Sequence, residues 1–178
     1  IRNSFINHPD HRATGTATLD AVYPTARDHL NWGHIEAIRR RWKGPLVVKG
    51  LLSVADALQA RRVGADAIVL SNHGGRQLDG AVSPLRVLEA LVAAVGPDYP
   101  VLIDSGFRRG SDVLKALALG ARMVLVGRPF NYAAAVAGEA GVAHAIGLLQ
   151  GEVDWNMAML GVTGCAELGL QHIVRRRA

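Results

Sequence analysis

A single cysteine, Cys165, is all the thiol chemistry this 178-residue chain contains, so no internal disulfide can form. That excludes the framework of a small secreted domain and predicts a reducing, cytoplasmic setting. Aromatic residues are few, at 5%, and do not alternate with the basic groups as a nucleic-acid platform requires. No helix-turn-helix, zinc-finger or RNA-platform motif is present either, and nucleic acid is not an expected partner. Apolar runs stop well short of the ~20 residues of a membrane span, and no charged start leads into an apolar h-region. Neither a spanning helix nor a signal peptide is predicted. A starting methionine is also missing: Ile1 opens a polar, turn-rich stretch through Thr18 that reads as the middle of a longer protein.

What is present is the composition of one globular domain able to bury a core, 49% apolar and 20% charged. The 20 glycines stand singly between apolar runs, as turn and helix-stop residues do. Acidic residues are outnumbered, giving a net charge of +5, with arginines grouped at Arg39 to Arg41, Arg61-Arg62, Arg108-Arg109 and Arg175 to Arg177. Such a balance suits phosphates, carboxylates or a membrane surface. The terminal arginine run reads as a solvated tail.

Along the chain, strand and helix signatures alternate. Ile35, Ile38 and Trp42 fall at helical spacing, predicting an amphipathic helix over Trp32 to Trp42 that Pro45 ends. Leu46 to Lys49 is a short apolar strand, and Ser53 with Asp56 three residues on starts a helix that Gly64 stops. Ala67 to Leu70 repeats the strand; Ser83-Pro84 opens a helix over Leu85 to Val95. Val101 to Asp104 is the third strand, leading to a helix over Asp112 to Leu119, and Met123 to Val126 is the fourth. Helices follow over Asn131 to Ala137 and Val142 to Leu160. Apolar runs without polar alternation, separated by helices, predict parallel strands buried on both faces, an α/β protein. Gly64 to Leu70 and Gly120 to Val126 echo one another. A (β/α)8 TIM barrel of about 250 residues has eight strands, so four suggest half of one; a small doubly wound sheet is the competing architecture.

Each strand ends in residues that do not belong in a core: Lys49, then Ser71-Asn72-His73, then Asp104-Ser105-Gly106, then Gly127-Arg128. In parallel α/β folds the carboxyl ends form the ligand-binding rim. The loop Gly106 to Ser111 combines glycines, Arg108 and Arg109 with a helix N-terminus, and Gly127-Arg128 lies beside it; together they predict a phosphate cradle. The loops after strands seven and eight commonly hold phosphate in barrels, which would number these strands five to eight. His73 and Arg76, separated by Gly74-Gly75, pair a base that titrates near neutrality with a guanidinium able to grip a carboxylate. Lys49 could stabilise negative charge on a ring cofactor. Taken singly, each residue has a plainer role: a snorkelling lysine, a turn histidine, a capping aspartate.

Val48-Lys49-Gly50, Ser71 to Asp79, Asp104 to Gly110 and Gly127-Arg128 together resemble the FMN-dependent 2-hydroxy-acid oxidising enzymes, a family of dehydrogenases and oxidases acting on lactate, glycolate or mandelate. The likeness spans roughly Lys43 to Leu160, with the motifs in family order. It implies a (β/α)8 barrel that binds FMN at its carboxyl-end mouth and oxidises an L-2-hydroxy acid to the 2-keto acid. It further implies His73 as active-site base, Arg76 on the substrate carboxylate, and Lys49 near the flavin stabilising its reduced ring. Ser71 would be a flavin-side neighbour, while Asp104, Ser105, Gly106, Arg108, Gly127 and Arg128 would hold the ribityl chain and phosphate. No residue is assigned to a metal.

The resemblance also implies upstream parts: four further strands, a substrate tyrosine, a second substrate arginine and an aspartate that orients the histidine, a role not given to Asp79. The expected division is residues 1–31 as the end of an upstream loop region, 32–161 as the half-barrel and 162–178 as a tail, with Cys165 as a packing residue. Alone, such a half would expose two sheet edges and an incomplete core, and is not expected to be an active monomer. The electron acceptor could be oxygen, a quinone or a cytochrome; a homo-oligomer, commonly a tetramer, and peripheral attachment to the inner membrane are family features that the basic balance permits. Another phosphate-binding barrel enzyme, or an inactive interaction module, stays open as an alternative.

Overall fold

Local chemistry sets where each element begins. In the computed structural model, which describes residues 30–175, helix α1 (Trp32–Arg41) starts at Asn31, whose side chain accepts from the Gly33 amide at 3.0 Å. Strand β1 (Val47–Leu51) leads to helix α2 (Val54–Arg62), capped by Ser53, whose Oγ accepts from the Asp56 amide and donates to Asp56 Oδ2. Strand β2 (Ala67–Leu70) is followed, after a loop, by helix α3 (Pro84–Val95); Ser83 makes no capping bond there, and Pro84 supplies the preset first turn. Strand β3 (Val101–Ile103) and helix α4 (Gly110–Ala118) follow, the helix starting two residues before the expected Asp112.

Strand β4 (Met123–Val124) is half the expected length. It has one neighbour only among the described residues, although the Leu125 amide still reaches the Ile103 carbonyl at 2.8 Å. The final helical run α5 (Arg128–Leu160) breaks at Ala137 (φ −146°) and Gly138 (φ 55°), so it is two arms, as the sequence predicts. By length and composition this run could cross a membrane, contrary to the expectation from uninterrupted apolar stretches. The break divides it, however, and Glu152 in the second arm binds the start of α4. The predicted opening loop region, residues 1–29, and Arg176-Arg177 lie outside the described residues. Arg175 does not simply face solvent: it donates to both carboxylate oxygens of Glu89, at 2.5 and 2.6 Å. Short 3-10 turns at Cys165–Glu167 and Leu170–His172 occupy the tail, and Cys165 is exposed rather than packed, its sulfur 3.6 Å from that of Met157.

The four strands are parallel and ordered β1-β2-β3-β4. A doubly wound sheet reverses its strand order; this one does not, as a barrel requires. Register and alternation place Val48, Ile68, Leu70, Val101 and Ile103 on one face, all buried, against Leu88 and Leu91 of α3 and Ala57 and Ala60 of α2. On the other face Ala67 and Val69 are buried, but Val47, on edge strand β1, is 46% exposed and Met123, on edge strand β4, 52%. The expectation of strands covered on both faces therefore holds for one face only; the second is the inward face of a barrel, incomplete among the described residues. On α5, Val136, Trp155 and Met159 are exposed as well.

Candidate active site

The carboxyl ends of all four strands meet at one cleft that is open to solvent. Strand β1 contributes Lys49 and then turns irregular: the β1–β2 register shifts between Lys49 and Leu51, at Gly50 with φ 101°. Lys49 Nζ donates to Ser71 Oγ at 2.7 Å and lies 2.7 Å from Asp104 Oδ2, so the tips of β1, β2 and β3 are tied by one ammonium. Ser71 is buried, and its hydroxyl also accepts from the His73 amide at 3.0 Å.

After β2 the backbone turns sharply. His73, Gly74 and Gly75 have φ of 56°, 69° and 75° in succession, a run that glycine tolerates and histidine adopts more often than most residues. The imidazole is pressed against Gly50: a Cβ at that position would stand 3.1 Å from His73 Cε1. Arg76 Nε donates to the His73 carbonyl at 3.2 Å, leaving an exposed guanidinium at the cleft. Burial and then the Lys49 charge lower the His73 pKa below its ordinary value; Asp104 opposes this and Arg76 adds to it. For Asp104, burial alone would raise the pKa, but hydrogen bonds from Lys49, Ser71 and Ser105 and the Lys49 charge outweigh it and hold the carboxyl low.

The anion-binding end differs in one respect from the sequence reading. The start of α4 and Arg109 are already engaged: the Asp112 carboxylate accepts from the Arg108 and Arg109 amides, while Glu152 accepts from the Gly110 amide at 2.7 Å and pairs with Arg109 at 2.9 Å. The helix start at the cleft is instead that of α5, where Gly127 is the N-cap and no side chain caps the turn. Arg108 and Arg128 line the cleft there, and Arg128 donates to the Gly74 carbonyl at 3.2 Å. Around Gly106 and Gly127 there is open space where a Cβ would stand, so the backbone is accessible to a ligand.

Of the residues expected at the site, Lys49, His73, Arg76, Asp104, Ser105, Gly106, Arg108, Gly127 and Arg128 all line this cleft. Ser71 does not; it lies beneath, as a hydrogen-bond hub. Asn131 and Leu125 also line it and went unassigned, although Asn131 stands in the first turn of the last helix, the signal that could have marked it. Asp79 is exposed and outside the lining.

An unreversed parallel sheet with cationic and backbone donors gathered at its carboxyl ends defines a segment of an α/β barrel whose rim is suited to an anion. The chain belongs to the FMN-dependent dehydrogenase family, which matches residues 3–175. It is 50% identical over 145 residues, 82% of its length, to an L-lactate dehydrogenase from Azorhizobium caulinodans, and spans 38% of that protein. Among solved structures it resembles an oxidised active mutant of (S)-mandelate dehydrogenase, with a TM-score of 0.82 and 45% identity, over 88% of this chain and 44% of that one. A second, a monotopic membrane (S)-mandelate dehydrogenase, superposes with a TM-score of 0.83 at 42% identity, over 97% of this chain and 45% of that one. The chain therefore spans less than half the length of these relatives, and its four strands are the carboxyl-terminal part of a TIM barrel. The residues present fit FMN: the uncapped helix start with Arg108 and Arg128 suits a phosphate, and Lys49 suits negative charge deeper in the cleft.

Proposed function

We propose that this chain carries the base, the substrate-carboxylate site and the cofactor-phosphate end of an FMN-dependent enzyme that oxidises an L-2-hydroxy acid, of the lactate or mandelate class, to the 2-keto acid. The observation that carries the reading is that His73 and Arg76 line one cleft with Lys49, Arg108 and Arg128, separating a proton acceptor from an anion end. Oxidation of the alcohol removes two electrons and two protons. FMN, when bound, supplies the two-electron acceptor that no side chain here provides. Arg108, Arg128 and the backbone at Gly106 and Gly127 hold its phosphate and ribityl chain, with Asp104 and Ser105 alongside.

His73 takes one of the two protons from the substrate. Its lowered pKa keeps the imidazole neutral, and so able to accept, at physiological pH. Arg76 grips the substrate carboxylate through a charge-assisted pair. Lys49 holds positive charge at the cleft floor. Attachment to a membrane surface belongs to the same reading, supported by the net charge of +5 and by the monotopic membrane neighbour; the electron acceptor would then be a quinone or cytochrome rather than oxygen.

The test is the visible spectrum of the anaerobic full-length protein before and after L-lactate and, on a fresh sample, (S)-mandelate. Bleaching of an oxidised flavin by either acid is expected, and readmitted oxygen then distinguishes an oxidase, which recovers colour at once, from a dehydrogenase. A bound flavin that neither acid bleaches would overturn the substrate assignment.

A further inference from the structure

Two residues other than glycine have positive φ among those described, His73 (56°) and Ser105 (81°), one after the tip of β2 and one after the tip of β3. The left-handed region is unfavourable for a residue with a Cβ, so two such residues in neighbouring loops ask for a cause. It is supplied by one hydroxyl. Ser105 Oγ accepts from the amides of Asn72 and Gly74, both at 3.2 Å, and donates to Asp104 Oδ1 at 2.8 Å. The amide between those two, that of His73, is taken by Ser71 Oγ. Three consecutive N–H groups around the histidine are thus gathered onto two serine hydroxyls, and Asp104 fixes the lone pairs of Ser105 by accepting its proton.

We infer that Ser105 is a positioning residue for His73: its hydroxyl, oriented by Asp104, holds the turn at residues 72–74 and thereby sets the imidazole against Gly50 and toward the cleft. This deepens the functional reading above and rests on it for the part that concerns catalysis. The role also passes from Lys49 through Asp104 to the histidine turn, so the charge pair at the cleft floor and the base share one network.

The decisive variant is Ser105→Gly, because strain and bracing predict opposite results. If the serine were only tolerated at φ 81°, glycine would relieve strain and leave the turn as it was or better ordered. If the hydroxyl is the brace, glycine loosens the turn although the backbone is relaxed. In the flavin-loaded protein, residue-resolved amide exchange is expected to quicken about tenfold at Asn72 and Gly74, the gain expected from losing one hydrogen bond. Flavin reduction by saturating substrate should slow roughly 10- to 100-fold, as for a displaced catalytic group, with KM changing less. Ser105→Ala, which keeps a Cβ on the same backbone and removes only the hydroxyl, should quicken exchange at both amides as well.

Unchanged exchange at Asn72 and Gly74 in Ser105→Gly would overturn the inference, as would faster exchange with undiminished flavin reduction. If the unsubstituted protein reduces no flavin with either hydroxy acid, the functional reading fails instead. The exchange result then still decides whether Ser105 holds the turn.

Discussion

Lys49 Nζ stands 2.7 Å from Asp104 Oδ2, so an ion pair joins the tips of β1 and β3 across the intervening tip of β2. The two strands are not neighbours in the sheet, and the bridge passes over the buried Ser71 hydroxyl to which Lys49 also donates. The ammonium therefore has two tasks, holding Asp104 ionised and placing positive charge where the proposed reaction develops negative charge.

Lys49→Met removes both. Asp104 loses its cation, so its carboxyl titrates at higher pH than in the unsubstituted protein. Flavin reduction by substrate should slow by about 100-fold or more, the usual cost of one preorganised electrostatic contact. Stopped-flow absorbance measures it, with Lys49→Arg as the variant that keeps the charge. A rate within a factor of two of the unsubstituted protein would remove Lys49 from the mechanism.

The pH dependence follows from His73. Burial and Lys49 disfavour the imidazolium more than Asp104 favours it, so the histidine stays neutral to a lower pH than the ordinary value of 6.5. A base works only when neutral; kcat/KM should be level above the shifted pKa and fall as pH drops through it, with the acid limb below 6.5. In Lys49→Met one lowering charge is gone, and the limb should move upward. A steady-state pH profile measures both, and a limb above 6.5 in the unsubstituted protein would contradict the assignment.

The parts of this molecule legible in the sequence are those that chain neighbours determine. Ser53 and Asp56 mark the start of α2, Ala137-Gly138 the break in α5, and polar residues directly after apolar runs the rim of the cleft. What could not be read depends on residues distant in the chain. Arg109 reads as part of a phosphate loop, and its pair with Glu152, in the second arm of α5, is not legible in the sequence. Ser71 and Ser105 read as cofactor contacts, and the sequence does not reveal that their hydroxyls also accept from the backbone around His73. The two exposed sheet edges are expected from a half-barrel, but apolar runs do not say that Val47 and Met123 are the residues laid bare on them among the described residues.

Gly50 is the residue whose absence of a side chain bears most closely on the base. Its φ of 101° suits glycine, and an added Cβ would meet His73 Cε1 at 3.1 Å. The strain raises the cost of the native bulge and the methyl group pushes the ring outward. Gly50→Ala is expected to lower kcat about 10-fold or more while flavin stays bound, since the cofactor-phosphate end lies on other strands. Titration of the His73 imidazole by NMR should show its pKa moving up toward the ordinary value as the ring gains water. An unaltered titration together with unaltered kcat would mean the ring does not depend on this contact.

A different glycine sets the packing beneath the cleft. A Cβ on Gly110, the first residue of α4, would stand 2.5 Å from the Val153 nitrogen and 2.6 Å from the Glu152 carbonyl carbon. Both are backbone atoms of α5, which cannot rotate aside, so Gly110→Ala must move one helix against the other. The shift also strains the Gly110 amide bond to Glu152 and the Glu152 pair with Arg109. A loss of about 3 kcal/mol in unfolding free energy is expected, at the upper end of ordinary overpacking because the opposing atoms are main chain. Urea unfolding measures it as a lower midpoint at constant slope, and a change within about 0.5 kcal/mol would mean that α4 and α5 are less closely seated. Arg108 lies in the loop just before α4 and Arg128 opens α5, so Gly110→Ala should also weaken FMN binding while Gly50→Ala does not, which separates the scaffold of the proposed phosphate end from that of the proposed base.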